Sequence, residues 1–317
     1  MSLHTVISYP LTYQRQLNLC LDKVINFKRL KALGTPHDLV LIYNEAWDQD
    51  KGYRLKQRAL NATRTTYPFI TLRPMELVYS KSNAGDPTWQ LSPMKFQAFA
   101  LTEYTRILAF DSDAQVLRNM DSYFLAPEAP IAVPRAYWLL DDPTSAANTT
   151  SVEEINQQTL GSHVILATPS KKLYRLLRNE AEATGAFDME VINKLFRTSA
   201  MILPHRGLAL LSGEFRRNAT DHGRYLAGSG VARWNATREY EKASLVHFSD
   251  WPLPKPWEHR KQEDWEAALP ACDAADTSTG DDGWREKCPD RAVWTGIYEE
   301  YDRDREGTCG IIYDLEK

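Results

Sequence analysis

Asp111-Ser-Asp113 sets two carboxylates two positions apart. In an extended segment, residues i and i+2 project from one face, so both groups can address a single point. The apolar run Ile107-Leu-Ala-Phe110 before the triplet reads as a buried strand, and Val116-Leu117 follows it. The carboxyl end of a strand in an open α/β sheet is where ligands bind. Two hard oxygen ligands at such a point suit Mn²⁺ or Mg²⁺ carrying a diphosphate. An isolated Asp-x-Asp is more often a solvated loop, so its weight here comes from its place at a strand end.

A second cluster is His247-Phe-Ser-Asp-Trp-Pro-Leu-Pro-Lys255-Pro-Trp257, after the short apolar run Leu245-Val246. Imidazole can complete a Mn²⁺ shell, and the ammonium of Lys255 is a compact charge for phosphate. Three prolines stiffen the segment around both groups. The plainer alternative is a rigid packed loop with a structural histidine.

A scaffold must bring these two clusters together, and the rest of the chain reads as one. Residues 20–33 form an apolar-faced helix that stops at Gly34-Thr-Pro36, and residues 38–43 form a buried strand. Residues 51–62 read as a surface helix and 80–91 as a loop. Ser92-Pro93 pairs a hydroxyl cap with a proline suited to the first helical position, so a helix is expected through Phe96, Phe99 and Ala100. Strands at 106–110, 132–134, 164–167 and 201–203 then alternate with helices at 170–184 and 188–196. This order predicts an α/β fold with a mixed, parallel-rich sheet covered by helices. Beyond Glu258 the periodicity fades; residues 259–287 read as a loop and 290–304 as a last helix.

Composition agrees with a folded chain. Of 317 residues, 43% are hydrophobic and 25% charged, which excludes a mostly disordered or fibrous protein. No apolar run approaches the ~18 residues of a membrane helix. The net charge of −4 is unevenly spread: residues 262–317 carry −10 and the first 261 carry +6. A mildly basic body suits an anionic small molecule, and no nucleic-acid partner is expected.

Cys20, Cys272, Cys288 and Cys309 show no Cys-x-x-Cys spacing. They are either free thiols in a cytoplasmic protein or disulfides stapling the acidic tail. The favoured pairing is Cys272–Cys288, because the 15 residues between them are too poor in apolar groups to order themselves; Cys20 is then left for Cys309. Asn61, Asn148, Asn218 and Asn235 each begin an Asn-x-Thr glycosylation acceptor, which favours a lumenal site. Residues 1–20 do not read as a signal peptide, since His4, Tyr9, Pro10, Gln14 and Arg15 interrupt any apolar core. A membrane anchor is expected only in a targeting segment outside this sequence.

Residues 107–124 together with His247 to Trp257 resemble the glycogenin-like glycosyltransferases of family eight. The resemblance spans about residues 20–315 and is closest to the fungal branch of Golgi N-acetylglucosaminyltransferases. That branch has runs similar to Pro134-Arg-Ala-Tyr-Trp138, Asp188-Met-Glu-Val-Ile-Asn193, Leu203-Pro-His-Arg206 and Gly213-Glu-Phe-Arg216. It implies a GT-A-like fold, one Rossmann-type nucleotide-sugar-binding domain over residues 1–258, with residues 259–317 as an acidic extension packed on it. It also implies a UDP-sugar donor, Mn²⁺ or Mg²⁺, a glycan or glycoprotein acceptor, a Golgi lumenal location and retention of anomeric configuration. Asp111, Asp113 and His247 match the family's metal ligands, and Lys255 the lysine on the donor diphosphate. Lys95 matches a lysine near the donor, and Asp188 the aspartate on the donor sugar. Ser112, Ser162 and Trp257 fall among the expected donor-binding positions. For Lys95 and Asp188 the plainer alternatives are a helix-surface lysine and a helix N-cap.

Two departures stand out. Thr5-Val-Ile-Ser-Tyr-Pro10 replaces the family's first strand, and Gly161-Ser162-His163 replaces its Asn-Ser-Gly. The resulting expectation is a retaining, Mn²⁺-dependent transferase of N-acetylglucosamine, glucose or galactose, working by same-face attack. The rival readings are a catalytically silent lumenal binding protein of the same fold and a cytoplasmic self-glucosylating primer.

Overall fold

The computed structural model describes residues 4–7, 17–49, 51–80, 87–139, 158–218, 221–226, 233–272 and 288–313. In chain order its strands are β1 (His4–Ile7), β2 (Asp38–Asn44), β3 (Ile70–Met75), β4 (Ile107–Phe110), β5 (Ala114–Val116), β6 (Ile131–Pro134), β7 (Val164–Ala167), β8 (Met201–Leu203), β9 (Ala209–Leu211) and β10 (Leu245–His247). Seven form a sheet in the order β3-β2-β1-β4-β7-β6-β8, and β5-β10-β9 form a second. In the larger sheet β7 runs antiparallel to β4 and β6, while the other pairings are parallel. Every residue of β2 after Asp38 is buried, as expected of a strand covered on both faces.

β1 occupies the centre, with Ile7 opposite both Leu41 and Phe110. Residues 4–7 thus form a central strand despite the departure in sequence. Residues 8–16 lie outside the described residues.

The main helices are α1 (Leu17–Ala32), α2 (Arg54–Thr66), α3 (Lys171–Thr184), α4 (Asp188–Phe196), α5 (Ala236–Lys242), α6 (Gln262–Ala268) and α7 (Pro289–Tyr313). Their ends follow local chemistry. Ser170 Oγ accepts from Leu173 N at 3.1 Å to start α3, and Gly185 at φ 69° ends it. Asn235 caps α5 through Arg238 N at 2.8 Å. Helix α1 buries Val24, Phe27 and Leu30 in the core beside β2 and β4. Its buried Asn26 pairs with β5 as a strand would, donating to Ala114 O at 2.7 Å and accepting from Val116 N at 2.8 Å.

Several elements differ from expectation. The segment Pro87–Ala100 is helical but of 3₁₀ type, and it holds Pro93 inside, where a regular α-helix would lose a hydrogen bond and clash. Strand β3 carries Pro74 and buries little, so only its edge position permits it. Strands β5 and β9 are three residues each, too short to show a period. Within the expected 259–287 loop stands α6, held because Trp265 packs on Trp294 and Tyr298 with ring centroids 4.5 and 5.1 Å apart.

The last helix is longer than 290–304 and belongs to the core. Trp294, Tyr298 and Tyr301 are fully buried with Leu210, Val246 and Phe248. Arg29 of α1 ties to Glu300 at 2.6 Å and Asp304 at 2.5 Å. Cys272 and Cys288 are joined by a disulfide, as expected. The side chains of Cys20 and Cys309 lie outside those described, as do Asn148 and residues 273–287. Among the described residues no helix is long and apolar enough to cross a membrane.

Candidate active site

The site forms where β4 ends. Asp111 N donates to the His163 carbonyl at 3.0 Å, continuing the β4–β7 ladder. The antiparallel register of β5 and β10 sets His247 opposite Ala114, and Phe248 N donates to Asp113 O at 2.8 Å. Two short ladders therefore bring the acidic triplet and the histidine motif together.

His247 Nε2 lies 3.5 Å from Asp111 Oδ2 and 3.3 Å from Asp113 Oδ1. One ligand atom from each of the three residues lies within 4.8 Å of the others. His247 Nδ1 is buried without a hydrogen-bond partner, so Nε2 alone orients the ring, and it faces both carboxylates as a ligand would. Two carboxylates and one imidazole fit a divalent cation of the Mn²⁺ type.

The charges are strongly coupled. Burial opposes ionisation of Asp113, yet Lys255 and His247 hold its carboxyl well below the usual range. Burial likewise opposes ionisation of Asp111, which Lys95 and His247 hold low. Burial also opposes charge on His247, but the two carboxylates outweigh it and raise the ring to about 9. A ring that binds its proton more tightly in the folded state gives its full stabilisation below pH 6.5 and loses it as pH rises through 9. With EDTA present, the urea midpoint should therefore fall between those pH values, and His247→Gln should flatten that part of the profile. An equally steep profile in the variant would rule out His247 as the source.

Lys95 is buried, and its ammonium is shared among Asp111 Oδ1 at 2.6 Å, Asp188 Oδ2 at 2.5 Å and Ser162 O at 2.8 Å. Burial opposes its charge, but Asp111 and Asp188 more than compensate and raise its pKa. It is not the surface lysine of the plainer alternative. Nor is Asp188 an N-cap: Phe187 holds that position, Asp188 is the first residue of α4, and its N–H donates to Ser92 Oγ at 3.1 Å. Lys255 donates to Asp113.

His163 stands between Trp138 and His247, each ring centroid 5.6 Å away. Burial, then His247 and Lys95, push it down to about 3, so it is neutral. A Cβ on Gly161 would lie 2.9 Å from the His163 ring. With His163 in this position, a side chain at 161 would require the ring to shift.

All the site residues expected from sequence line one cleft of about 1440 Å³, including Ser112, Ser162 and Trp257 in its walls. The cleft also takes in Trp89, Phe187, Glu214, Arg217, Asp250 and Trp251, to which sequence assigns no role. Asp250 and Trp251 were visible inside the proline-rich motif; for Glu214, within Gly213-Glu-Phe-Arg216, no chemical signal marked it out.

No family model matches the chain. Among solved structures, the galactosyltransferase LgtC with donor and acceptor sugar analogues covers 90% of this chain and all of its own, with TM-score 0.51 and 13% identity. The bifunctional glycosyltransferase WbbM covers 84% of this chain and 49% of its own, with TM-score 0.50 and 14% identity. With the mixed sheet and the strand-end acidic pair, these likenesses define a GT-A-like glycosyltransferase fold. Two curated fungal proteins named Glucose N-acetyltransferase 1 are closer in sequence. That of Gibberella zeae is 36% identical over 93% of this chain, and that of Aspergillus fumigatus 35% over 91%. The chain belongs to this family of transferases, and it spans 60% and 73% of the two relatives' lengths.

Proposed function

We propose that the protein transfers a sugar, with N-acetylglucosamine favoured over glucose or galactose, from a UDP-sugar to a glycan with retention of configuration. The observation that carries this reading is the Asp111, Asp113 and His247 cluster, flanked by Lys255 on one side and the Lys95–Asp188 pair on the other. These three residues would hold Mn²⁺, or Mg²⁺. A divalent cation bound there neutralises the donor diphosphate and stabilises it as a leaving group. The relatives' name mentions both glucose and an N-acetyl group, which supports N-acetylglucosamine, a 2-acetamido derivative of glucose, as the favoured sugar.

The protein's own groups have separable tasks. Lys255, at the edge of the cluster beside Asp113, supplies an ammonium to the diphosphate as its charge grows. Lys95 fixes the Asp188 carboxylate, which leaves that group positioned to accept from a donor-sugar hydroxyl. Three further carboxylates on the cleft are already engaged: Glu214 by Tyr137 at 3.2 Å and His222 at 3.0 Å, Asp250 by Ser212 and by Tyr298 at 2.9 Å, and Glu190 by Phe187 N at 2.9 Å. That supports same-face attack, in which a donor phosphate oxygen takes the acceptor proton, over a covalent carboxylate intermediate. A lumenal location, with Asn61, Asn218 and Asn235 as sugar acceptors, remains part of this proposal; the Cys272–Cys288 bond supports it.

A donor screen tests the reading. UDP release should be seen with UDP-N-acetylglucosamine, UDP-glucose or UDP-galactose in Mn²⁺ and stop in EDTA. Release of coenzyme A from acetyl-coenzyme A, with no UDP release, would replace glycosyl by acetyl transfer.

A further inference from the structure

Trp251 is 83% exposed, whereas Trp257, six residues on in the same motif, is 8% exposed. Its exposure is not looseness. The preceding Asp250 is buried, accepts from Ser212 Oγ and from Tyr298 at 2.9 Å, and its carbonyl accepts from Arg216 at 3.2 Å and Leu253 N at 2.8 Å. Phe248 and Leu253 on either side are also buried. A well-anchored segment thus holds a large indole out in solvent on the cleft that contains the cation cluster. Trp89, 49% exposed, lines the same cleft and packs edge-on against Phe187, the neighbour of Asp188, with centroids 5.8 Å apart. One aromatic surface therefore adjoins the His247–Lys255 wall and the other the Lys95–Asp188 wall.

The charges say what kind of molecule fits between them. Carboxylates outnumber lysines and arginines on the cleft, and each of its four such cations already faces one. Lys95 is paired with Asp111 and Asp188, Lys255 with Asp113, Arg216 with Asp250 and Arg217 with Glu214. An anionic chain would meet net repulsion and no uncommitted cation. An uncharged pyranose chain would stack its C–H faces on indole, as apolar surface does on aromatic rings.

We propose that Trp251, with Trp89 on Phe187, forms a stacking subsite for an uncharged oligosaccharide acceptor. The proposal rests on the glycosyl-transfer reading and deepens it. Maltotriose, chitotriose and mannotriose, with a heparin tetrasaccharide as anionic comparison, are titrated into the intact protein while tryptophan fluorescence is followed. At least one neutral trisaccharide should shift the emission, more tightly than the anionic chain. Trp251→Ala should weaken that binding at least about tenfold, with Trp251→Phe partly restoring it, and UDP affinity in Mn²⁺ should be unchanged. Unaltered trisaccharide binding in Trp251→Ala overturns the proposal, as does tighter binding of the anionic chain or no neutral binding up to about 10 mM. Calorimetry with UDP and Mn²⁺ separates the two readings, since absent UDP binding would sink the donor assignment and leave the trisaccharide result to stand or fall by itself.

Discussion

Asp113→Ala should reduce kcat/KM by about 10³-fold, equivalent to about 4 kcal/mol of transition-state stabilisation. Asp113 faces both His247, at 3.3 Å, and Lys255. Its loss removes a cation ligand and the carboxylate that Lys255 meets at the cluster. The effect on UDP affinity should appear only in Mn²⁺, because without the cation an acidic cleft has little to offer a diphosphate. Paired calorimetry with Mn²⁺ and with EDTA, beside a UDP-release assay, measures both parts. Turnover within a few-fold of the parent would remove the cation assignment.

Lys95→Met should cost about 3–5 kcal/mol of stability as well as activity, because it strands the buried Asp188 without its cation and leaves Asp111 only His247. Asp111 and Asp188 both face that ammonium, at 2.6 and 2.5 Å. Adding Asp188→Asn should recover part of the loss, since one stranded charge then disappears. A urea-denaturation double-mutant cycle reads the coupling directly. Additive losses would mean that the lysine stabilises the fold by some route other than this pair. Arginine is a poor substitute, because its planar fork does not fit a pocket shaped around a compact ammonium.

How much of this was legible beforehand depended on the length scale of the signal. The strand and helix at residues 164–167 and 188–196 carry their own period and fall where expected. Asp111, Asp113, His247 and Lys255 were visible because hydroxyl- and proline-rich flanks and an apolar strand surround them. What could not be read was the pairing between distant short pieces. The three-residue strands β5 and β10 carry no periodicity, yet their register determines which residue faces Asp113. Nor does sequence show that Asn26 of α1 acts as a strand for β5. The burial of Lys95 was hidden for a related reason: its partners come from two other elements, and a lone lysine after Ser92-Pro93 looks like a helix surface.

Helix α7 has one further consequence, for a chain still being made. Residues 247–257 leave the ribosome well before Pro289–Tyr313, so for that interval Asp250 has no Tyr298 to hold it and the aromatic cluster around Phe248 is unfilled. The β5–β10 ladder that sets the distance between the two halves of the cation site then lacks the helix that packs behind Val246 and Phe248. Folding of this domain is accordingly expected to complete only once the last helix is available. Nascent chains stalled before Pro289 should give up bound Mn²⁺ and be cut readily by protease near Trp251, and chains released beyond Tyr313 should resist both.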